Sequence, residues 1–261
     1  MQFFTAGDVL SYSTTATPDD PVTVHLDDMI QDALEIMLSK DFDQLPVVSD
    51  YGVEGVVTYK SVSRYVKSVD HPRVGDTSVK IVLDQNPKFV DLEHDIFQLF
   101  DTFAEDDFVI IGDRNQLEGI LTRYDVFYFL EYQFEPILKI GEIEESLRQL
   151  FQISFDDVEQ RIEETFADRV EHDPSYVAPE QLEDFSFDEY RMFMMRNLDQ
   201  LPSIIDRERD MVESLLEDVR EIRNALLHFR AGADEVDRDE LDLAHGYFTG
   251  IVSAARKESG G

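Results

Sequence analysis

The chain is 261 residues long and carries 57 Asp and Glu against 23 Lys and Arg, a formal net charge of −34. General binding of DNA or RNA relies on basic patches, so this acidity argues against it, and the absence of cysteine excludes disulfides and thiolate chemistry. The acids are spread along the whole chain. This favours a halophile-type protein of a high-salt cytoplasm over an ordinary acidic protein, since molar salt shortens the Debye length to about 3 Å. There is no basic leader and no apolar run near ~18 residues, so we expect a soluble, cytoplasmic protein that makes no membrane contact.

Two copies of one pattern, about 65 residues apart, fill the first half of the chain. Each copy contains an apolar strand, a helix, two further strands and the start of a second helix, in the order βαββα. The predicted opening strands and first helices lie at residues 22–25 and 27–39 in the first copy and at 88–91 and 92–104 in the second. Both copies end their last strand in a threonine, in Gly55-Val-Val-Thr58 and Gly119-Ile-Leu-Thr122.

These copies resemble a tandem of cystathionine-β-synthase-type (CBS) domains, also called a Bateman module. The family signature combines the apolar opening strand and helix with a Leu-Pro-Val-Val strand and a Gly-[Ile/Val]-[Leu/Val]-Thr-x-x-Asp segment. The chain has Leu45-Pro-Val-Val and carries the threonine segment twice at matching spacing. We therefore predict two CBS repeats, at residues 1–68 and 69–134, that form one module.

The resemblance implies a regulatory module that binds an adenosine-containing ligand (AMP, ADP, ATP or S-adenosylmethionine) in clefts between its sheets. In the second copy, Thr122, Arg123 and Asp125 stand at the strand-to-helix turn. The carboxylate can accept hydrogen bonds from both ribose hydroxyls, while the hydroxyl, the helix amides and the guanidinium can meet phosphate. The alternative is that Thr122 and Asp125 only cap the following helix.

The first copy departs from the family pattern at one position. Thr58 is followed by Ser61, which stands where the ribose-binding aspartate belongs. The resemblance therefore implies a nucleotide site at Thr122, Arg123 and Asp125 and a weaker one at Thr58 and Ser61.

From Pro136 onward the strand-like runs disappear and the sequence is typical of helices. We predict a short linker at residues 135–139 and an all-helical domain at 140–258. Its predicted helices lie at residues 137–153, 155–169, 186–197, 207–231 and 238–257.

Near the end of the longest predicted helix lies the segment Arg223-Asn224-Ala-Leu-Leu-His228. Arg220, Asn224 and His228 lie one turn apart on one helix face, and Arg223 lies about 100° around the axis. The segment resembles the Arg-polar-x-x-x-His motif of HEPN domains (higher eukaryotes and prokaryotes nucleotide-binding). These are helical bundles that often dimerise with the motif facing its twin.

Active HEPN domains are metal-independent endoribonucleases, and the resemblance implies a role for each residue. His228 would transfer a proton, Arg223 would clamp the phosphate and Asn224 would orient either group. The structural alternative is that arginines among so many acids form ion pairs at helical spacing, and many domains of this family are inactive. The remaining histidines show no ligand spacing, so we predict no metal site.

The sequence thus predicts an α+β protein in which two βαββα repeats precede an all-α bundle. The preferred function is an adenine-nucleotide sensor, in which the CBS pair controls a HEPN-like output domain within a homodimer and no cofactor is required. One alternative is a nucleotide-regulated ribonuclease that acts on RNA. A second is a non-catalytic adaptor or antitoxin-like protein that binds a protein partner.

Overall fold

The computed structural model describes residues 4–13, 21–84, 86–202, 205, 208–227 and 235–259. The chain divides into two compact units, Met1–Leu130 and Glu131–Gly261. The first unit contains two small sheets and their helices, and the described part of the second is helical. In the described residues, no helix is both long and apolar enough to cross a membrane.

The first repeat folds in the predicted βαββα order, which is confirmed. Its sheet has the order β1-β2-β3, with β1 parallel to β2 and β2 antiparallel to β3. Its elements are β1 (Val24–His25), α2 (Ile30–Lys40), β2 (Gln44–Ser49), β3 (Gly52–Thr58) and α3 (Tyr59–Ser68), and α1 (Ala6–Tyr12) precedes them.

The second repeat has the same order and the same strand pairing. Its elements are β4 (Phe89–Val90), α4 (Ile96–Phe103), β5 (Phe108–Gly112), β6 (Leu117–Thr122) and α5 (Arg123–Ser154). The two sheets pack on one another through a small apolar cluster that includes Val56 and Ile110. Two similar lobes therefore share one interface inside the first unit.

The segment that precedes each repeat packs against the other repeat. The buried side chains of α1 (Ala6, Val9 and Leu10) join the core of the second repeat, and Ala6 N–H donates to the His94 carbonyl. In turn, Val79 joins the core of the first repeat, and its N–H donates to the Asp28 carbonyl. The predicted bounds 1–68 and 69–134 therefore follow the repeat in the sequence and not the two packed cores.

This exchange explains the glycine at the start of each threonine segment. A Cβ on Gly55 would lie 2.2 Å from the Asp84 carbonyl oxygen, and one on Gly119 would lie 2.5 Å from Leu10 Cδ1. Both distances are shorter than van der Waals contact allows. Each glycine thus leaves room for the segment that crosses from the other repeat.

The residues predicted as a linker, 135–139, are helical because α5 continues through them, and Pro136 lies inside the helix. A proline at this position removes the hydrogen bond to the carbonyl four residues earlier, that of Tyr132. The Arg238 guanidinium donates to this carbonyl at 2.7 Å, which satisfies it. A side chain about 100 residues further along the chain thus supplies the missing donor.

The second unit packs its helices around one apolar core that includes Leu147, Phe151, Tyr190, Phe193 and Val219. The predicted helix at residues 186–197 begins with a cap in which the Ser186 N–H donates to Glu189 Oε2 at 2.6 Å. In the described residues, the longer helices that follow α5 are α6 (Val158–His172), α7 (Phe187–Arg196), α8 (Arg209–Leu227) and α9 (Arg238–Ser259).

Candidate nucleotide-binding site

The junction between β6 and α5 places Thr122 and Asp125 in a reciprocal capping box. The Thr122 N–H and hydroxyl both donate to Asp125 Oδ2, at 2.8 Å and 2.6 Å, and Asp125 N–H donates to Thr122 Oγ1 at 3.4 Å. The other carboxylate oxygen, Oδ1, accepts a hydrogen bond of 2.8 Å from the Ser13 hydroxyl. Helix capping therefore uses one oxygen of Asp125, and the second oxygen binds a hydroxyl group.

The junction between β3 and α3 has the same pair of hydrogen bonds between backbone N–H and side chain, with different chemistry. Thr58 N–H donates to Ser61 Oγ and Ser61 N–H donates to Thr58 Oγ1, both at 3.0 Å. Ser61 Oγ also donates to the Thr58 carbonyl at 2.9 Å. The single side-chain oxygen of Ser61 is thus occupied by the cap, and a hydroxyl stands where the second junction has a carboxylate.

Asp125 lines a cavity of about 520 Å³, which we call the Asp125 pocket. The cavity is large enough for a small-molecule ligand, for which pockets of ~300–1,000 Å³ are typical. A smaller space of about 60 Å³ shares Phe42, Gln44, Thr122 and Asp125 with it and has an apolar wall. The Asp125 pocket is lined by Tyr12, Ser13, Asp41, Phe42, Asp43, Gln44, Thr122, Tyr124, Asp125 and Tyr128.

A second cavity of about 470 Å³, which we call the central cleft, brings together residues of both junctions. Thr58 and Ser61 line it from the first repeat, and Thr122 and Arg123 line it from the second. Four of the five predicted nucleotide-binding residues therefore meet in the central cleft. Asp125 lines the neighbouring pocket, and Thr122 lines both cavities.

Arg123 forms an exposed ion pair, in which its guanidinium donates to Asp107 Oδ1 at 2.6 Å. The contact of Arg123 with a phosphate stays a prediction. Arg123 lines the central cleft, whereas the described lining of the Asp125 pocket does not include it.

Sequence reasoning missed Ser13, Asp41 and Asp43 as residues of the Asp125 pocket. Ser13 lies 112 residues before Asp125, and only the packing of α1 on the second repeat brings the two together. Asp41 ends α2 with φ at 58°, a left-handed conformation that often follows a helix. The predicted helix at residues 27–39 ended close to Asp41, but nothing in the sequence placed Asp41 in the pocket.

Of the predicted catalytic residues, Arg223 and Asn224 lie on α8. Arg223 Nε donates to Glu144 Oε1 at 3.0 Å, and both side chains are more than two-thirds buried. Arg220 forms ion pairs with Glu217 and Asp188, and hydrogen bonding to Glu217 raises its pKa. The two arginines are therefore paired with carboxylates. Asn224 is half-buried, and His228, the predicted proton-transfer residue, lies outside the described residues.

Within the described residues, no group of three or more His, Cys, Asp or Glu side chains is placed to hold a metal ion.

Comparison with known proteins agrees with the two-lobed geometry. The CBS domain family matches residues 6–68 and 75–132. No curated protein matches the sequence.

Three similar solved structures illustrate the range of matches. A putative signal-transduction protein with CBS domains from Burkholderia ambifaria is 18% identical, with a TM-score of 0.43, over 48% of this chain and 93% of that chain. CBSX2, a protein of Arabidopsis thaliana, in complex with AMP is 23% identical (TM-score 0.39) over 48% and 95% of the two chains. The CBS domain pair of MJ0100 in complex with 5′-methylthioadenosine and S-adenosyl-L-methionine is 16% identical (TM-score 0.40) over 48% and 94%.

The two matched segments, the paired sheets and the duplicated junctions define the amino-terminal unit as a tandem pair of CBS domains. In this chain the pair is followed by the helical unit Glu131–Gly261, and the family match ends at residue 132.

Proposed function

We propose that this protein senses an adenosine-containing ligand through Asp125 and that the helical unit is the output. The observation that carries the proposal is the orientation of the Asp125 carboxylate. One oxygen caps α5, while the other accepts a hydroxyl hydrogen bond at the wall of a cavity of ligand size. A ribose can replace the Ser13 hydroxyl there with its own hydroxyls.

The rest of the nucleoside has a suitable apolar surface close to this carboxylate. Val22, Leu45, Pro46 and Ile120 line the small space next to the Asp125 pocket. Apolar walls with a few polar groups that fix orientation are typical of small-molecule sites. In our proposal the adenine ring packs on this wall while Asp125 binds the ribose.

The first repeat does not provide an equivalent site in this proposal. Ser61 offers one oxygen, which already bonds to Thr58 N–H and to the Thr58 carbonyl. A ribose diol would have to break the helix cap to bind there. We therefore propose one adenosine per chain, with Thr58 and Ser61 acting mainly as a cap.

In our proposal the protein is a homodimer, and ligand binding changes the population of its states. Phe97, Phe100 and Phe127 are 56%, 46% and 60% exposed on α4 and the start of α5, two helices that pack on one core. Contiguous exposed apolar patches mark interaction surfaces, and in our proposal these side chains belong to one such patch. A ligand must favour one dimer state by a few kcal/mol to shift its population appreciably.

In our proposal the helical unit is a HEPN-like bundle. The acidic composition of the chain suits a high-salt cytoplasm.

The ribonuclease alternative stays a prediction. Arg223 would have to leave Glu144 before it could bind a phosphate. The adaptor alternative also stays a prediction.

Calorimetric titration in molar KCl tests the sensing function. Adenosine should bind the wild-type chain, and Asp125→Asn should bind roughly 10- to 100-fold more weakly, because hydrogen bonds to a charged group contribute about 1.5–3 kcal/mol. Asp50→Asn, an exposed turn residue of the first repeat, is the matched control and should leave the affinity unchanged. Equal binding by the wild type and Asp125→Asn would refute the assignment of the site.

A further inference from the structure

The Asp125 pocket contains only one sign of charge among the residues that the structure describes. Its lining there includes three carboxylates and no lysine, arginine or histidine. Its acids are Asp41, Asp43 and Asp125. A 5′-phosphate inside this pocket would face these like charges, which is unfavourable.

Aromatic side chains form much of the remaining wall. Tyr12, Phe42, Tyr124 and Tyr128 line the pocket, and Tyr124 and Tyr128 are 63% and 57% exposed. The faces of aromatic rings attract cations such as quaternary ammonium groups. Carboxylates and aromatic rings together are the surroundings that a positively charged group prefers.

The cations of this region line the central cleft instead. Lys60, Arg64, Lys88 and Arg123 line that cleft together with five carboxylates, so its charges nearly balance. At the first junction, which lines this cleft, Ser61 stands where the second junction has the carboxylate of Asp125. The cations that suit phosphate thus line a different cavity from Asp125, while Asp43 and Thr122 line both cavities.

We infer that the Asp125 pocket selects adenosine compounds that carry a positive charge, such as a sulfonium, over those that carry a phosphate. This inference rests on the proposed function, since it assumes that Asp125 binds the ribose. Beyond the proposed function, the inference specifies the charge of the ligand. It also names the residues that select this charge, which are the loop from Asp41 to Asp43 and the tyrosines of the pocket.

A series of ligands that differ in charge tests the inference. Calorimetry in molar KCl would compare S-adenosylmethionine, S-adenosylhomocysteine, adenosine and AMP. S-adenosylhomocysteine lacks only the sulfonium methyl group, so the pair isolates one positive charge. S-adenosylmethionine should bind at least roughly fivefold more tightly than S-adenosylhomocysteine, and AMP should bind more weakly than adenosine.

Two substitutions test whether the pocket's acids cause this preference. The double variant Asp41→Asn/Asp43→Asn removes two charges, and asparagine tolerates the left-handed conformation of Asp41. The preference for S-adenosylmethionine over S-adenosylhomocysteine should fall at least about twofold in this variant, while adenosine affinity stays within about twofold. Asp50→Asn removes a charge outside the pocket and should keep the preference.

The possible outcomes separate this inference from the proposed function. If adenosine binds but S-adenosylmethionine is no tighter than S-adenosylhomocysteine, the inference is wrong and the proposed function stands. The same conclusion follows if AMP binds more tightly than adenosine, because a phosphate would then reach the cations of the central cleft. If no adenosine compound binds the wild-type chain, both fail. A preference that the double variant retains in full would show that the acids do not set it, which also overturns the inference.

Discussion

The two strand-to-helix junctions of the CBS pair differ in the side chain that completes the helix cap. Thr58 and Thr122 each end a strand, and each caps its helix together with the residue three positions later. That residue is Ser61 in the first junction and Asp125 in the second. In both, the side chain accepts a hydrogen bond from the threonine N–H, at 3.0 Å and 2.8 Å.

The difference shows that helix capping does not require the aspartate. One side-chain oxygen is enough for the cap, as Ser61 demonstrates. Asp125 differs from Ser61 in its negative charge and in its second oxygen, Oδ1, which accepts a hydrogen bond of 2.8 Å from the Ser13 hydroxyl. Exchanging the residues at positions 61 and 125 should therefore change ligand affinity while leaving stability nearly unchanged.

The largest effect is expected from Asp125→Ser, which gives the second junction the chemistry of the first. Adenosine affinity should fall roughly 10- to 100-fold, because about 1.5–3 kcal/mol of charge-assisted hydrogen bonding is lost. The melting temperature should stay close to that of the wild type, since serine can supply the capping oxygen. Calorimetry and thermal melts of the same preparation check both statements.

Ser61→Ala serves as the control, because it removes the hydrogen bond from Thr58 N–H to Ser61 Oγ without changing Asp125. It should lower the melting temperature and leave adenosine affinity unchanged. A large loss of stability in Asp125→Ser would instead mean that the main role of the aspartate is to stabilise the fold.

The reverse exchange, Ser61→Asp, should create a second site. The new carboxylate would stand in the central cleft, which also contains Lys60, Arg64 and Lys88. We expect AMP to bind this variant about tenfold more tightly than it binds the wild-type chain, with a second binding event in the titration. An unchanged stoichiometry would show that more than one side chain separates the two repeats.

Removal of a threonine hydroxyl should have a smaller effect on stability. Thr58→Val removes the acceptor of the Ser61 N–H, so it should lower the free energy of unfolding by about 1 kcal/mol. Thr122→Val also removes the hydroxyl that donates to Asp125 Oδ2, so it should cost more, up to about 3 kcal/mol. Urea denaturation measures both changes, and a smaller cost for Thr122→Val than for Thr58→Val would contradict this prediction.

Much of the CBS pair could be predicted because its signals are local. The βαββα order follows from short apolar runs, and the threonine segments fixed the place of Thr122 and Asp125. The exchange of α1 and the segment around Val79 between the repeats has no local signal, because it depends on which core buries each segment. The sequence predicted a helix only from residue 137, and the helical course of residues 135 and 136 was missed for the same reason, since Arg238 compensates for Pro136 from far along the chain.

The candidate site was predicted in part, and the limit is again distance along the chain. A motif placed Asp125 at a helix start. No sequence pattern near Asp125 predicts that Ser13, Asp41 and Asp43 line the same pocket. The ion pair of Arg123 with Asp107, 16 residues apart, likewise depends on the sheet that brings β5 and β6 together. Charges around a pocket are set by packing, so the sequence motif alone left the charge of the ligand open.

The smallest expected effect belongs to Ser13, which bonds to the second oxygen of Asp125. If a ribose binds to that oxygen, it must displace the serine hydroxyl, so Ser13→Ala should tighten adenosine binding about three- to fivefold. Ser11→Ala is the matched control, because Ser11 lies on α1 just before Ser13 and donates to the Gly7 carbonyl. Weaker binding by Ser13→Ala in calorimetry would mean that the serine holds the carboxylate in place for the ligand. The comparison of the two junctions would then extend to α1, since the hydroxyl that reaches the second junction stands at the end of that helix.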